Sequence, residues 1–326
     1  MNFVSRLTPA LAAFALTLAA LGGAQAQTSD YPSKAIRLIV PYTPGASTDS
    51  ISRAFADEAT KALGQPVIVE NKPGAGTAIG TQAAKVAPAD GYTILFGSGT
   101  MVSTMVALKD PGYSMDDFTP VAMLGEQYYV LMIPRAMQVK DFKEFLAYAK
   151  ANPKKMNYAM LGPGSPSHVL ADRLQHSAKF EWQDIAFRGG TPAVQALMSN
   201  DVQGYFATQT FSLTLKDSDK VQLVAIGADQ RGEFLPDIPT FKELGYDGVS
   251  EVGWYSMLVR SNTPKPIIDK LRSVFTDMMK TPAMQQHLKT NGLSAYKGTL
   301  DGFPAMVADD IKRKAEETKR LGITVQ

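Results

Sequence analysis

The chain has 326 residues, with 33 lysines and arginines against 31 aspartates and glutamates, and no cysteine. A near-neutral chain has no electrostatic reason to seek nucleic acid or an anionic membrane, and the missing thiols exclude disulfides, thiolate metal sites and a cysteine nucleophile. The length suffices for two domains of ordinary size with well-formed cores.

Residues 1–26 read as a secretory signal peptide. Arg6 supplies a basic n-region, 11–21 is apolar, and Ala24-Gln25-Ala26 is a small-x-small cleavage site. The apolar run is too short and wrongly flanked for a membrane anchor, and no second segment of spanning length follows. The mature protein is expected to start near Gln27, to be soluble and, in a bacterium, to be periplasmic. Its size supplies the core that small exported domains replace with disulfides.

Ile36-Arg37-Leu38-Ile39-Val40 reads as a buried parallel strand, ended by Pro41, which has no N–H to donate. Pro44-Gly45 makes a turn, and Ser47, Thr48 and Asp49 are N-cap types ahead of a helix over 47–63. Strand, turn and helix N-terminus leave backbone N–H groups converging with the positive helix end behind them, a cradle for an anion. The same grammar repeats: a strand over 67–71, then Lys72-Pro73-Gly74-Ala75-Gly76-Thr77, then a helix over 76–86 carrying Ile79, Ala83 and Val86. A third copy runs from a strand over 92–97 through Gly97-Ser98-Gly99-Thr100 into a helix over 100–107. A strand over 119–124 follows.

From Gln127 the unit starts again. Strands are expected at 129–133, 157–160, 185–187, 202–207, 223–227 and 254–259, with helices over 142–149 and 169–176 and after Arg188-Gly189-Gly190. Asp237 to Gly245 reads as a loop with one short helix, and helices over 264–279, 282–291 and 301–320 close the chain. Strands alternating with helices argue an α/β fold. No flexible linker separates two halves, so the chain is expected to cross between lobes near 125–128 and 248–254. That gives lobe 1 as 27–126 with 250–326 and lobe 2 as 127–249, each a mostly parallel sheet flanked by helices.

These motifs, from Val40-Pro41-Tyr42-Thr43-Pro44-Gly45-Ala46-Ser47-Thr48-Asp49 through Val69-Glu70-Asn71-Lys72-Pro73-Gly74-Ala75-Gly76, Ala87-Pro88-Ala89-Asp90-Gly91-Tyr92-Thr93, Gly162-Pro163-Gly164-Ser165-Pro166-Ser167-His168 and Arg188-Gly189-Gly190 to Asp237-Ile238-Pro239-Thr240 and Gly253-Trp254, resemble the solute-binding proteins of tripartite tricarboxylate transporters, also called Bug proteins. The resemblance covers essentially all of the mature chain. It implies a two-lobed "Venus flytrap" that holds a carboxylate between the lobes and delivers it to a membrane permease. In the family the carboxylate is held mainly by backbone amides and ordered water from the first two turns, here Tyr42 to Thr48 and Gly74 to Ile79. The second lobe contributes from the loop with Gly164, Ser165 and His168 and from the strand end at Ala207, Thr208 and Gln209. The family commonly has two glycines where this chain has Gly45-Ala46, which bears on cradle shape and ligand size.

The expected ligand-binding set is therefore Tyr42, Thr43, Gly45, Ala46, Ser47, Thr48, Gly74, Ala75, Gly76, Thr77, Ser98, Gly164, Ser165, His168, Arg188, Ala207, Thr208 and Gln209. Arg188 offers a planar fork for the distal end of a dicarboxylate, against the alternative of a hinge or surface ion pair. Asp49 is expected to cap or brace the first turn rather than to touch ligand. Tyr42, Tyr128, Phe206 and Trp254 lie near turns or crossings as core, cleft wall or stacking surfaces. Neither glycine turn is a Walker loop or a full dinucleotide fingerprint, so no cofactor is expected. Three histidines with no i, i+4 pair support a zinc site poorly. The expected protein is a monomeric, non-enzymatic receptor for a di- or tricarboxylate, with an aromatic dicarboxylate admitted by the aromatic positions and Ala46. Two other readings stand beside it: an exported serine hydrolase using Ser165 or Ser167 with His168, and a sensor ectodomain partner of a signalling kinase.

Overall fold

The computed structural model describes residues 31–45, 47–296 and 298–323. The segment 1–26, expected to be a signal peptide, and Ala46 lie outside the described residues. The first half builds β1 (Ile36–Val40), α1 (Ser47–Leu63), β2 (Val67–Asn71), α2 (Ala78–Lys85), β3 (Thr93–Ser98), α3 (Gly99–Ala107) and β4 (Phe118–Gln127). Then come β5 (Tyr129–Pro134), α4 (Phe142–Ala151), β6 (Asn157–Met160), α5 (Pro166–Ala178), β7 (Gln183–Ala186), α6 (Gly190–Met198), β8 (Gly204–Thr208), α7 (Gln209–Leu215) and β9 (Val221–Ile226). Strand β10 (Gly253–Arg260) and helices α8 (Lys265–Met279), α9 (Pro282–Thr290) and α10 (Phe303–Arg320) follow.

The strands form two five-stranded sheets, ordered β2-β1-β3-β10-β4 and β7-β6-β8-β5-β9. In the first, β1 runs parallel to β2 and β3, with Ile36 opposite Val67 and Leu38 opposite Ile94. In the second, β6 runs parallel to β7 and β8. Each sheet has one reversed strand: β10 is antiparallel to β3 and β4, and β5 to β8 and β9. The reversal follows from chain path. Strand β5 begins two residues after Gln127, so it enters the second sheet where the parallel strands end and must run back along them, Tyr129 opposite Thr208. Strand β10 re-enters the first sheet in the same way, with Gly253 opposite Gln127.

Both sheets are covered on both faces, which is why their strands read as unbroken apolar runs. Ile36, Leu38 and Val40 pack under Phe55 of α1 and Leu271 and Phe275 of α8. Ile39 and Leu95 point the other way, toward Met101 and Val102 of α3 and Phe303 and Val307 of α10. In the second sheet Leu131, Ile133 and Phe206 meet Phe142, Phe145, Leu170 and Leu174, while Met132, Ala159 and Ala207 meet Ala193, Val194 and Leu197 of α6.

Two expectations change. The helix expected over 76–86 starts as a separate 3₁₀ turn, Ala75–Thr77, and buries Ala78, Gly80, Thr81 and Ala84, leaving Ile79 and Val86 exposed. Small residues let α2 sit close to the sheet: a Cβ on Gly80 would lie 2.8 Å from the Lys72 carbonyl. The short helix expected within 237–245 is a run of turns pinned by a bridge between Thr240 and Ile226.

Candidate functional site

The parallel strands of both sheets point their carboxyl ends at one cavity of about 590 Å³, the place where open α/β sheets bind ligands. From the first sheet it is lined by the turns after β1, β2 and β3, including Tyr42, Thr43, Ser47, Thr48, Gly74, Ala75, Gly76, Thr77, Ser98, Gly99 and Thr100. From the second come Ser165, Ser167, Phe187, Arg188, Gly189, Gly190, Tyr205, Phe206, Thr208 and Phe211. The reversed strands supply the floor, with Tyr129 on β5 and Gly253, Trp254 and Tyr255 on β10 beside Gln127. N-cap or first-turn residues of six helices, α1 to α3 and α5 to α7, therefore border one space. The two sides meet at its edges: a Cβ on Gly189 would lie 3.8 Å from Thr43 Oγ1, and one on Gly164 3.8 Å from the Ala107 methyl.

The first cradle is held from outside. The buried Asp49 accepts from Gly45 N at 3.0 Å, Arg53 Nε at 2.9 Å and Asn71 Nδ2 at 2.9 Å. Asn71 also donates to the Tyr42 carbonyl at 3.1 Å. Burial alone would raise the Asp49 carboxyl; the donors from Arg53, Gly45 and Asn71 outweigh it and hold the group below its ordinary range. Asp49 is thus a brace for the turn, its lone pairs spent on the protein.

The second cradle is strained. Gly74, Ala75, Gly76 and Thr77 all have positive φ (127°, 46°, 60° and 89°). For alanine, and still more for a β-branched threonine, such angles cost energy and persist only where surroundings impose them. Thr104 Oγ1 on α3 donates to the Gly76 carbonyl, locking the loop against the neighbouring helix. A Cβ on Gly76 would stand 2.7 Å from that same hydroxyl oxygen.

The floor is a group of buried phenols. Tyr42 Oη lies 2.7 Å from Ser98 Oγ, and Gln127 donates its amide to Tyr255 Oη. Burial, more than any neighbour, pushes the hydroxyls of Tyr42, Tyr129, Tyr205 and Tyr255 upward, so all four stay protonated and can donate. Among the described lining residues Arg188 is the one formally charged side chain and no carboxylate is present. Arg188 also has no hydrogen-bonding or ion-pairing partner among the described residues, whereas Arg37, Arg53, Arg135, Arg173, Arg231, Arg260, Arg272, Arg313 and Arg320 all have one.

Several expected ligand contacts stand elsewhere. Gly45 is exposed, outside the lining, and its N–H is taken by Asp49. Gly164 N donates to His168 Nδ1 at 3.1 Å, so both residues shape the loop behind Ser165 rather than the cavity wall. Burial pushes the His168 imidazole below its ordinary value, keeping it neutral at pH 7. Ser165 Oγ lies 3.1 Å from Ser167 Oγ and accepts from His168 N, so no nucleophile–imidazole pair forms. Ala207 points into the core against α6. Gln209 is fully buried and donates its amide to the Gly292 carbonyl at 2.7 Å, tying α7 to the loop after α9. Of the aromatic positions, Tyr42, Phe206 and Trp254 line the cavity and Tyr128 packs beside Val130 and Ile226. Gln127, Tyr129, Tyr205, Tyr255, Phe187 and Phe211 were not expected there. The expected crossing near 125–128 was the one available signal for the first two.

Residues 51–323 match the family described as "Tripartite tricarboxylate transporter family receptor". The chain is 30% identical over 322 residues (99% of this chain, 98% of the relative) to the UPF0065 protein in the gbd 5′ region of Cupriavidus necator. It is 29% identical to protein BugT of Bordetella pertussis, covering 97% of this chain and 98% of that one. Among solved structures, the periplasmic binding protein BugD superposes with a TM-score of 0.83 at 29% identity, covering 91% of this chain and 100% of that one. MatC from Rhodopseudomonas palustris with bound malate gives a TM-score of 0.79 at 28% identity, covering 88% and 99%. With its two mixed sheets, its shared cavity and this family match, the chain belongs to the tripartite tricarboxylate transporter receptor family.

Proposed function

We propose that the protein is a periplasmic receptor that captures a small organic carboxylate between its lobes, performs no chemistry on it and hands it to the permease of a tripartite tricarboxylate transporter. One observation carries the reading: helix N-termini from both sheets converge on a single cavity whose sole formal charge is an unpaired guanidinium. Such a site attracts anions, because partial positive charge at helix ends and free N–H groups stabilise a carboxylate without a metal. One carboxylate sits in the cradles at 42–48 and 74–77, and a second at Arg188, whose fork can take it through two hydrogen bonds. The malate bound by the MatC neighbour is a dicarboxylate of the kind this arrangement accommodates. Aromatic walls from both sides favour an apolar body between the two charged ends, an aromatic dicarboxylate included. The lobes are 27–126 with 250–326 and 127–249, and closure is hinge motion about the crossings at 127–129 and 251–253. Residues 1–26 act as the cleaved export signal.

A thermal-shift screen over aliphatic and aromatic mono-, di- and tricarboxylates tests this. A ligand binding only the folded state at 100 times its Kd adds about 2.7 kcal/mol, a clear rise in Tm. Dicarboxylates are expected to give the largest rise. A flat response across the whole panel would sink the reading.

A further inference from the structure

Two ion pairs join a helix of one lobe to a helix of the other. Asp172 and Arg173 are neighbours on α5, and Glu317 and Arg320 share one face of α10. Asp172 pairs with Arg320 at 2.6 Å, and Arg173 donates to Glu317. The polarity is crossed: moving α10 by one turn would set Arg320 against Arg173, so one register of the two helices satisfies both pairs. The Arg173 guanidinium also donates to the carbonyls of Gly248 at 3.3 Å and of Ser250, where the chain returns to the first lobe, and stands 3.6 Å from Glu251. Arg313 and Lys314 instead pair with Glu251 and Asp310 on the first lobe's own side, so α10 keeps its seat there whether or not α5 is engaged. Both helices connect to the cavity. Ser165 and Ser167 at the start of α5 line it, about 9 Å along the helix from Arg173, and Asp310 of α10 accepts from the Trp254 indole at 3.3 Å.

We propose that the pairs Asp172–Arg320 and Arg173–Glu317 form a latch between α5 and α10 that holds the two lobes in the arrangement seen here even without cargo. This rests on the two-lobe division given above, not on the identity of the ligand. The side chains of Asp172, Arg173 and Glu317 are only 7%, 17% and 12% exposed, so solvent screens their attraction poorly. Parting the helices would return the same groups to water, and that regained hydration offsets much of the attraction lost. The latch therefore biases the lobes toward closure rather than locking them, with a coupling of roughly 5- to 150-fold in the closed-to-open ratio.

The chain has no cysteine, so Lys109→Cys and Gln183→Cys, both at exposed positions, place one spin label on each lobe. Double electron–electron resonance on the full mature protein then reads the distance between lobes with no ligand added. The parent is expected to show mainly the separation of this structure. Glu317→Gln combined with Arg320→Gln is expected to lower the ratio of short to long separations at least about fivefold. Asp172→Asn, made from the other helix, should shift it the same way by less. Glu316→Gln combined with Lys319→Gln removes as many charges from exposed positions of α10 and should leave the parent's distribution in place. A double variant at 317 and 320 that keeps the parent's distribution overturns the proposal, because a cluster that only stabilises the fold would lower the Tm and leave the separation alone. So does a control at 316 and 319 that shifts as far. Malate and adipate at millimolar concentration both failing to raise the Tm would count against the carboxylate reading alone, since the comparison of separations needs neither.

Discussion

Two regions of this molecule handle charge in opposite ways. Around Glu251, which is 3% exposed, Arg173, Arg313, Lys314 and Arg320 interleave with Asp172, Glu251, Asp310 and Glu317, so that each charge is cancelled by a neighbour. These side chains come from α5, from α10 and from the stretch just before β10, so the cluster ties the two sheets' helices together behind the cavity. The cavity, a few residues away through Trp254 and Asp310, does the reverse: it gathers helix dipoles and one unpaired guanidinium and leaves them uncompensated. A closed charge network stabilises its own geometry, whereas an open one is completed by whatever anion arrives.

Breaking the closed network should have the largest effect. Glu251→Ala removes the acceptor that Arg313 and Lys314 share and leaves only Asp310 to offset both, and removing one partner of a buried pair costs roughly 3–5 kcal/mol; urea melts read this directly. Burial alone would raise the Glu251 carboxyl, but Lys314, Arg313 and Arg173 bring it below its ordinary value. Its contribution is therefore complete above an unfolded-state pKa of about 4.3 and is lost as pH falls through the lower folded value. The stability gap between parent and Glu251→Gln should stay flat from about pH 7 to pH 5 and shrink below about pH 4. A gap that widens on acidification would contradict the pairing.

On the open side, Arg188→Gln should weaken a dicarboxylate by roughly 10- to 100-fold, equivalent to about 1.5–3 kcal/mol for hydrogen bonds to a charged group. Its Tm without ligand should not move, since the guanidinium supports nothing in the protein. Gly76→Val must displace Thr104 and adopt an angle that costs about 1–3 kcal/mol, so carboxylate affinity should fall at least about tenfold. Unchanged affinity would remove the second cradle from the site. The smallest effect is expected for Asp49→Asn, which loosens the brace under the first turn: about 1 kcal/mol in stability and a few-fold in affinity by titration calorimetry.

Much of the fold was legible because apolar runs, proline stops and N-cap residues are local signals. The helix at 47–63 follows from them, as does the alternation of strand and helix. Placement at the cavity was legible where it depends on the backbone at the residue's own position, as at Gly74 to Thr77 and Arg188. It was missed where it depends on what stands behind the residue. Gly45 spends its N–H on Asp49, His168 accepts from Gly164, and Gln209 reaches a loop 83 positions away. Tyr129, Tyr205 and Tyr255 escaped notice because a tyrosine in a strand looks like core until the strand's end is known to face a cleft.

By itself, the order of residues determined which segments become strand, turn and helix start, because those choices are settled within a few residues by sterics and hydrogen-bond supply. Only the tertiary structure decided which of the liberated N–H groups remain free, that four phenols share one floor, and that Arg188 alone among the described arginines has neither a hydrogen-bonding nor an ion-pairing partner. Those are properties of distances between segments far apart in the chain, and electrostatics depends on distance in space rather than on position along it.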